Sequence, residues 1–312
     1  MNKLTIDDLN LFPDFSTYSM NLEKLDKYDF SNLSNEEIYN IYYDFATILP
    51  FSYGIFKPAK FNQHKFYRAR LNINNEKEDI SLIQTYSYPP NYVCTEKGRA
   101  NLDGKSVFYC SNNPNTAILE CKPKIGDEGY LSIWKGNSTK SIKTGICLPW
   151  DLSEKNIWNL MAKDSFNHLI KTLPSESKNK FKHFIALYKF INHKFITEEK
   201  PYPLTSMISN EMLYGDLHRD FIIYPSVIAE ALLCNMAFHP NSVNENLKFE
   251  KVIKFKVMNL KNNEIELVFG KVGQLENTKM IWKNYRLTEL ENMFSKEKPA
   301  GNSGFARLRN MW

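Results

Sequence analysis

The chain has 312 residues, of which 43% are hydrophobic, 14% aromatic and 24% charged, and this composition excludes a collagen-like, low-complexity or mainly disordered protein. The length fits one large domain with an appendage or two small domains; no apolar run approaches the eighteen residues of a transmembrane helix. Forty basic and thirty-five acidic residues leave +5, unevenly placed: residues 1–50 hold three Lys and nine Asp/Glu, a net −6, so the remaining 262 carry +11, a basic body suited to an anionic ligand.

Asp7 and Asp8 stand where a secretory signal would be basic and then apolar, so a cytoplasmic protein is expected. Ser31 to Ile48 reads as a helix, with Ser34 as cap, Glu37 completing a capping box, and Ile38, Ile41, Tyr42 and Phe45 as its apolar stripe. Residues 1–60 are therefore expected to form a helical arm docked on the body through that stripe, as a structural lid or an oligomer contact. After Pro50 the pattern turns strand-like, at Lys65 to Leu71 and Ser106 to Cys110. Asn113 and Pro114 have the residue types of a helix cap and first helical position, for a helix reaching Glu120 and stopped by Pro123.

Tyr130 to Lys135 is the next strand. Between Asp151 and Ile196 two stripes follow, Phe166, Leu169, Ile170 and Leu173, then Phe181, Phe184, Ile185, Tyr188 and Ile191, which predict a helical hairpin broken near Pro174. Thr205 is placed to cap a short helix, and Phe221 to Ser226 is a strand with Ile222, Tyr224 and Ser226 on one face. Lys248 to Met258 and Ile265 to Val272 predict two strands joined by an Asn-Asn turn, before a basic tail, 273–312, whose Lys-Pro-Ala-Gly-Asn-Ser-Gly stretch is expected to be mobile. Strands and helices do not alternate regularly, so the expected class is α+β.

Five widely spaced cysteines, Cys94, Cys110, Cys121, Cys147 and Cys234, form no CxxC pair or Cys/His cluster, so neither a metal site nor a disulfide framework is expected. No RGG run, RNP motif or helix-turn-helix cue accompanies the positive charge, which disfavours a nucleic-acid partner. Chemistry-bearing residues concentrate in three segments: FYRAR (Phe66 to Arg70), GRANLDGKSVFYCSNNPNTAILE (Gly98 to Glu120) and IIYPS (Ile222 to Ser226). The YR pair, the GR-x-N-x-x-G turn, the strand with Tyr109, the T-A-x-x-E helix and the late YPS occur in the order of the RES-domain family, which the chain resembles over roughly Phe66 to Val272. The first sixty residues and the tail lie outside the resemblance, and the helical insertion at about 151–200 departs from compact members.

The resemblance implies a RES-like catalytic domain at 61–272 with a mixed-sheet core similar to ADP-ribosyltransferase toxins. It also implies an activity that consumes NAD as substrate, without a further cofactor, by cleaving the nicotinamide–ribose bond through hydrolysis or phosphorolysis. Such a protein is expected to act as a bacterial toxin or effector that arrests growth, with an antitoxin or regulatory protein, or a second copy, as partner. Transfer of ADP-ribose to a macromolecule is the alternative, and a non-enzymatic nucleic-acid or protein-binding module the second. The residue types suit bond cleavage, because nicotinamide leaves as a neutral molecule and the cost lies in a cationic ribose that a carboxylate offsets. Glu120 is the expected carboxylate; Arg68 and Arg99 are forked donors for phosphate or ribose oxygens, with Arg70 as a second contact. Tyr67 and Tyr109 are aromatic faces for a flat ring. Ser226, with no His–Asp partners or GxSxG elbow, is expected to hydrogen-bond substrate or Glu120 rather than act as nucleophile. His64, just before the first strand, is within reach of such a site by sequence alone.

Overall fold

A computed structural model describes residues 10–47, 53–149, 151–156, 158–171, 180–261, 264–284 and 307–310. The N-terminal arm is two helices, α1 (Phe15–Asp26) and α2 (Asn35–Ala46). Asp14 caps α1 by accepting the Ser16 and Thr17 amides, and α2 begins with the expected Ser34–Glu37 capping box, so each N-terminus has its orphan donors met locally. Then follow β1 (Tyr53–Phe56), α3 (Pro58–Phe61), β2 (Lys65–Leu71), β3 (Phe108–Ser111), α4 (Pro114–Leu119), β4 (Glu128–Gly136) and β5 (Ile142–Ile146). The second half comprises α5 (Asn159–Lys171), α6 (Phe181–Thr197), α7 (Pro203–Leu213), β6 (Phe221–Pro225), β7 (Cys234–Phe238), α8 (Pro240–Asn246), β8 (Leu247–Lys261), β9 (Glu264–Glu276), β10 (Lys279–Lys283) and β11 (Arg307–Asn310). Among the described residues no helix is long and apolar enough to cross a membrane.

All these strands join one mixed sheet in the order β1-β5-β6-β7-β3-β2-β4-β8-β9-β10, with β11 parallel to β9, so the chain is α+β as expected. β5 and β6 are also parallel; the remaining neighbours are antiparallel. One junction is thin. β2 runs in full register with β4, and β3 with β7, but β2 and β3 share the single pair Tyr67↔Ser111.

Alternation along β6 separates two cores. Ile222 and Tyr224 face α1, α2, α6 and α7, whereas Phe221 and Ile223 face Phe56, Phe61, Trp158 and Ala162. A third core unites β2, β4, β8 and β9 with Ala117 and Ile118 of α4. The arm docks through the expected stripe, with Ile38 and Tyr42 buried and Ile41 and Phe45 partly so; α1 packs on α6 and α2 on α7. Charge complementarity assists it, since Lys194 of α6 pairs with Asp26 at 2.7 Å.

Several expectations need correction. α5 and α6 do not form a self-packed hairpin: they touch through Phe166 and Tyr188, but α5 packs on β1 and α6 on α1, α7 and β6. The reason is that α6 buries Phe184, Leu187, Tyr188, Phe190, Ile191 and Phe195, more apolar surface than one neighbouring helix covers. Thr205 does not cap α7, which starts two residues earlier. The Glu198 carboxylate caps it from outside, accepting the Leu204 and Thr205 amides and the Thr205 hydroxyl. The sheet reaches past both assigned boundaries, with β1 inside residues 1–60 and β9 running through 272 to Glu276. Asn277, at φ 57°, then turns the chain into β10. The Asn262-Asn263 turn, Pro174, Ile48 and the Lys298 to Gly304 stretch lie outside the described residues.

Candidate functional site

A cavity of about 740 Å³ opens beside the thin β2–β3 junction, within the roughly 300–1,000 Å³ of small-molecule sites. Its walls come from β2, β3, α4, the end of β6, β7, and the segment from Ile196 to Tyr202, which comprises the end of α6 and the connection to α7. Arg68, Arg99, Tyr109, Glu120 and Asn235 all line it. Pro225, the last residue of β6, also lines it, directly before Ser226.

Arg68 is part-buried, and its Nη1 donates to the Tyr109 carbonyl at 3.0 Å, bridging the strands just past their one paired position. The guanidinium carbon lies 5.5 Å from the Phe108 ring centroid, and Nε is buried with no acceptor. Desolvation, helped by repulsion from Arg70, pushes the guanidinium down to about 10, so it remains charged at neutral pH. This part-buried cation forms no ion pair with a carboxylate among the described residues.

Glu120 ends α4, its amide bonded to the Thr116 carbonyl at 2.9 Å. The α4 N-terminus is built as expected, with Asn113 accepting the Asn115 and Thr116 amides and Pro114 in the first turn. One oxygen of Glu120, Oε1, accepts from Ser226 Oγ at 2.6 Å and from Asn235 Nδ2 at 2.7 Å. The expected Ser226–Glu120 hydrogen bond is therefore present. It commits the one hydroxyl proton of Ser226 to a carboxylate, and no histidine lines the cavity among the described residues, an arrangement that orients rather than generates a nucleophile. Oε2 takes no hydrogen bond from the described residues, and Glu120 is exposed to solvent.

Arg99 is committed in part to the protein. Its Nη1 donates to the Phe195 carbonyl at 2.9 Å and, more weakly, to that of Lys194 at 3.5 Å, and its guanidinium sits 4.7 Å from the centroid of Tyr202. The expectation of a fully available fork is corrected: one edge holds the end of α6. The GR-x-N turn acquires a physical reason, because Tyr109 accepts the Ala100 amide and donates to Asn101 Oδ1, each at 2.8 Å. A Cβ on Gly98 would stand 2.5 Å from the Tyr109 hydroxyl and 2.4 Å from Asn101 Oδ1, so any side chain there would displace the two groups that hold the turn.

Three expected contacts are not available as assigned. Tyr67 borders the cavity but is completely buried in the third core, and it leaves no ring face for stacking. Arg70 turns to the loop after β2, where Glu78 takes two of its N–H groups at 2.5 and 2.9 Å and the Thr85 carbonyl a third bond at 2.7 Å. His64 packs against Trp158, at 4.8 Å between ring centroids, outside the cavity. Sequence reasoning missed Asn235, Tyr202 and the lining role of Tyr224, whose ring packs 5.4 Å from Phe195. An Asn inside the apolar run Cys234–Phe238 was the available signal for the first. Among the described residues no group of three His, Cys, Asp or Glu side chains could hold a metal ion. Compared with protein-family models and with curated proteins, the chain gives no match.

Proposed function

We propose that the cavity binds NAD and that the protein cleaves its nicotinamide–ribose bond in the manner of the RES-domain family it resembles. The observation that carries this reading is the Glu120 carboxylate, held through one oxygen by Ser226 and Asn235, in the same cavity as Arg68, which forms no ion pair among the described residues. Arg68 fits a pyrophosphate or ribose oxygen, and its burial makes the attraction stronger than at a solvated surface. Tyr109 and Tyr202 line the same cavity and suit a flat heteroaromatic ring. Glu120 then stabilises positive charge as it develops at the anomeric carbon, prealigned at no cost during reaction. Nicotinamide departs neutral and takes the bonding electron pair, and water or phosphate attacks the ribose. In a bacterial host the reaction would deplete NAD and arrest growth.

Purified protein incubated with NAD, with and without phosphate, tests the proposal by mass spectrometry of the products. Nicotinamide with ADP-ribose indicates hydrolysis, and nicotinamide with ADP-ribose 1″-phosphate indicates phosphorolysis. ADP-ribose attached to protein or nucleic acid would redirect the reading to transfer. Unchanged NAD under all conditions would overturn it.

A further inference from the structure

Lys194, in the last turn of α6, uses its two ends on opposite tasks. Its ammonium reaches the Asp26 carboxylate at 2.7 Å and the Asp26 carbonyl at 3.0 Å, at the C-terminal end of α1, and the side chain is only 11% exposed. Its own carbonyl accepts the Glu198 amide that closes α6, at 2.9 Å, and shares Arg99 Nη1 with the carbonyl of Phe195. The first turn of α6 is tied to the arm as well: Lys180 Nζ donates to the Phe12 carbonyl, and His183 Nε2 lies 2.9 Å from the Pro13 carbonyl. Thus α1 runs alongside α6 in the same direction and grips it at both ends. The second grip is made by the residue whose carbonyl meets a cavity arginine.

A desolvated ammonium with two acceptors is a stiff joint, because breaking it leaves buried charge behind. The last turn of a helix is otherwise its loosest part, since its carbonyls lack intrahelical donors. Here those carbonyls are what Arg99 binds, and the segment that follows supplies Tyr202, over whose ring the guanidinium lies. We propose that the N-terminal helices are a positioning element of the cavity: through Lys194 they hold the final turn of α6, and so keep Arg99 and Tyr202 in place in its wall. The kinetic part of the test rests on the cavity being the NAD site; the structural part does not.

Lys194→Met keeps the unbranched apolar stem beside Phe190 and removes the ammonium, Asp26→Ala removes one of its two acceptors, and Lys194→Arg restores a cation. Hydrogen–deuterium exchange of the full chain is expected to be about three- to tenfold faster over residues 195–205 and around Arg99 in Lys194→Met. Asp26→Ala should lie between it and the parent, and Lys194→Arg near the parent. In NAD turnover Lys194→Met should raise KM by a similar factor with little change in kcat, and in an Arg99→Lys background it should add less than that full factor. Faster exchange confined to residues 10–47, or KM effects of Lys194→Met and Arg99→Lys that multiply, would overturn the proposal. Should Lys194→Met not fold, Asp26→Ala carries the exchange measurement. A parent protein inert toward NAD would refute the functional reading and leave the exchange result decisive for this one.

Discussion

Replacing Glu120 by Gln removes one negative charge and keeps the side-chain shape, so it separates the electrostatic role of this residue from its structural one. The amide oxygen can still accept from Ser226 and Asn235, which now bond to Oε1 at 2.6 and 2.7 Å. Changing two charge-assisted bonds into neutral ones costs about 0.5–1 kcal/mol each, and the exposure of Glu120 to solvent reduces that further. The melting temperature should therefore shift by a few degrees at most. If Glu120 stabilises the cationic ribose, its charge is worth more in the transition state than in the folded ground state, and the rate should fall by about 10²–10³-fold. Initial rates of NAD loss, read by chromatography beside a thermal melt of the same sample, compare the two effects. Ser226→Ala and Asn235→Ala each remove one orienting bond; both are expected to be milder than Glu120→Gln and less than additive together, because they act on the same oxygen. A folded Glu120→Gln protein that consumed NAD at the parental rate would remove the carboxylate from the mechanism.

Arg68→Met should abolish binding of ADP-ribose in calorimetry yet raise the melting temperature of the free protein, since it deletes a desolvated cation with no partner acid among the described residues; retained affinity would show that Arg68 does not meet the ligand. Arg68→Lys should weaken binding by losing the planar fork, and Arg99→Lys should be milder because one edge of Arg99 already serves the protein. Deleting residues 1–47 uncovers Phe184, Leu187 and Ile191 of α6 and should lower the melting temperature sharply and promote aggregation, at about 1.5–3 kcal/mol per buried side chain lost; a soluble deletion protein melting with the parent would contradict the docking described. Burial holds His183 below the ordinary value of 6.5, so the unfolded chain takes up its proton first and stability should fall as pH drops below about 6.5; His183→Phe should lessen that fall in melting temperature, and an unchanged pH profile would exclude the residue.

What could be read from the sequence was local. The Ser34 capping box, Asn113 with Pro114, and the limits of β2 each depend on neighbours within a few residues, and the structure has all three. β1, β5 and β7 were missed because they are short, and β7 is buried on both faces, so it has no alternation to betray it. α1 was missed although Tyr18, Leu22 and Leu25 keep helical spacing, since three apolar positions among polar ones make a thin stripe. Asn235 reaches Glu120 only through the pairing of β7 with β6, where it stands opposite Tyr224, and no local pattern encodes that register.

The same contrast explains which members of the motifs meet in the cavity. Tyr67 and Arg68 are consecutive on a strand, so their side chains leave opposite faces; both border the cavity, but the structure buries Tyr67 completely in the sheet core and turns Arg68 to the gap. Arg68 and Arg70 do share a face, but only Arg68 lies beside the point where β2 leaves β3, while Arg70 is two residues farther on and meets the Glu78 loop. The separation of β2 from β3 after Tyr67↔Ser111 therefore makes the cavity and selects its arginine together. A guanidinium bridging to the Tyr109 carbonyl fills a gap that a continued ladder would have closed, and it brings into that gap a charge that forms no ion pair among the described residues. Under the proposed function an anion entering there would pair with Arg68, while Glu120 stands in the wall of the same space, fixed through Oε1 by the polar residue of β7 and by the serine that follows β6.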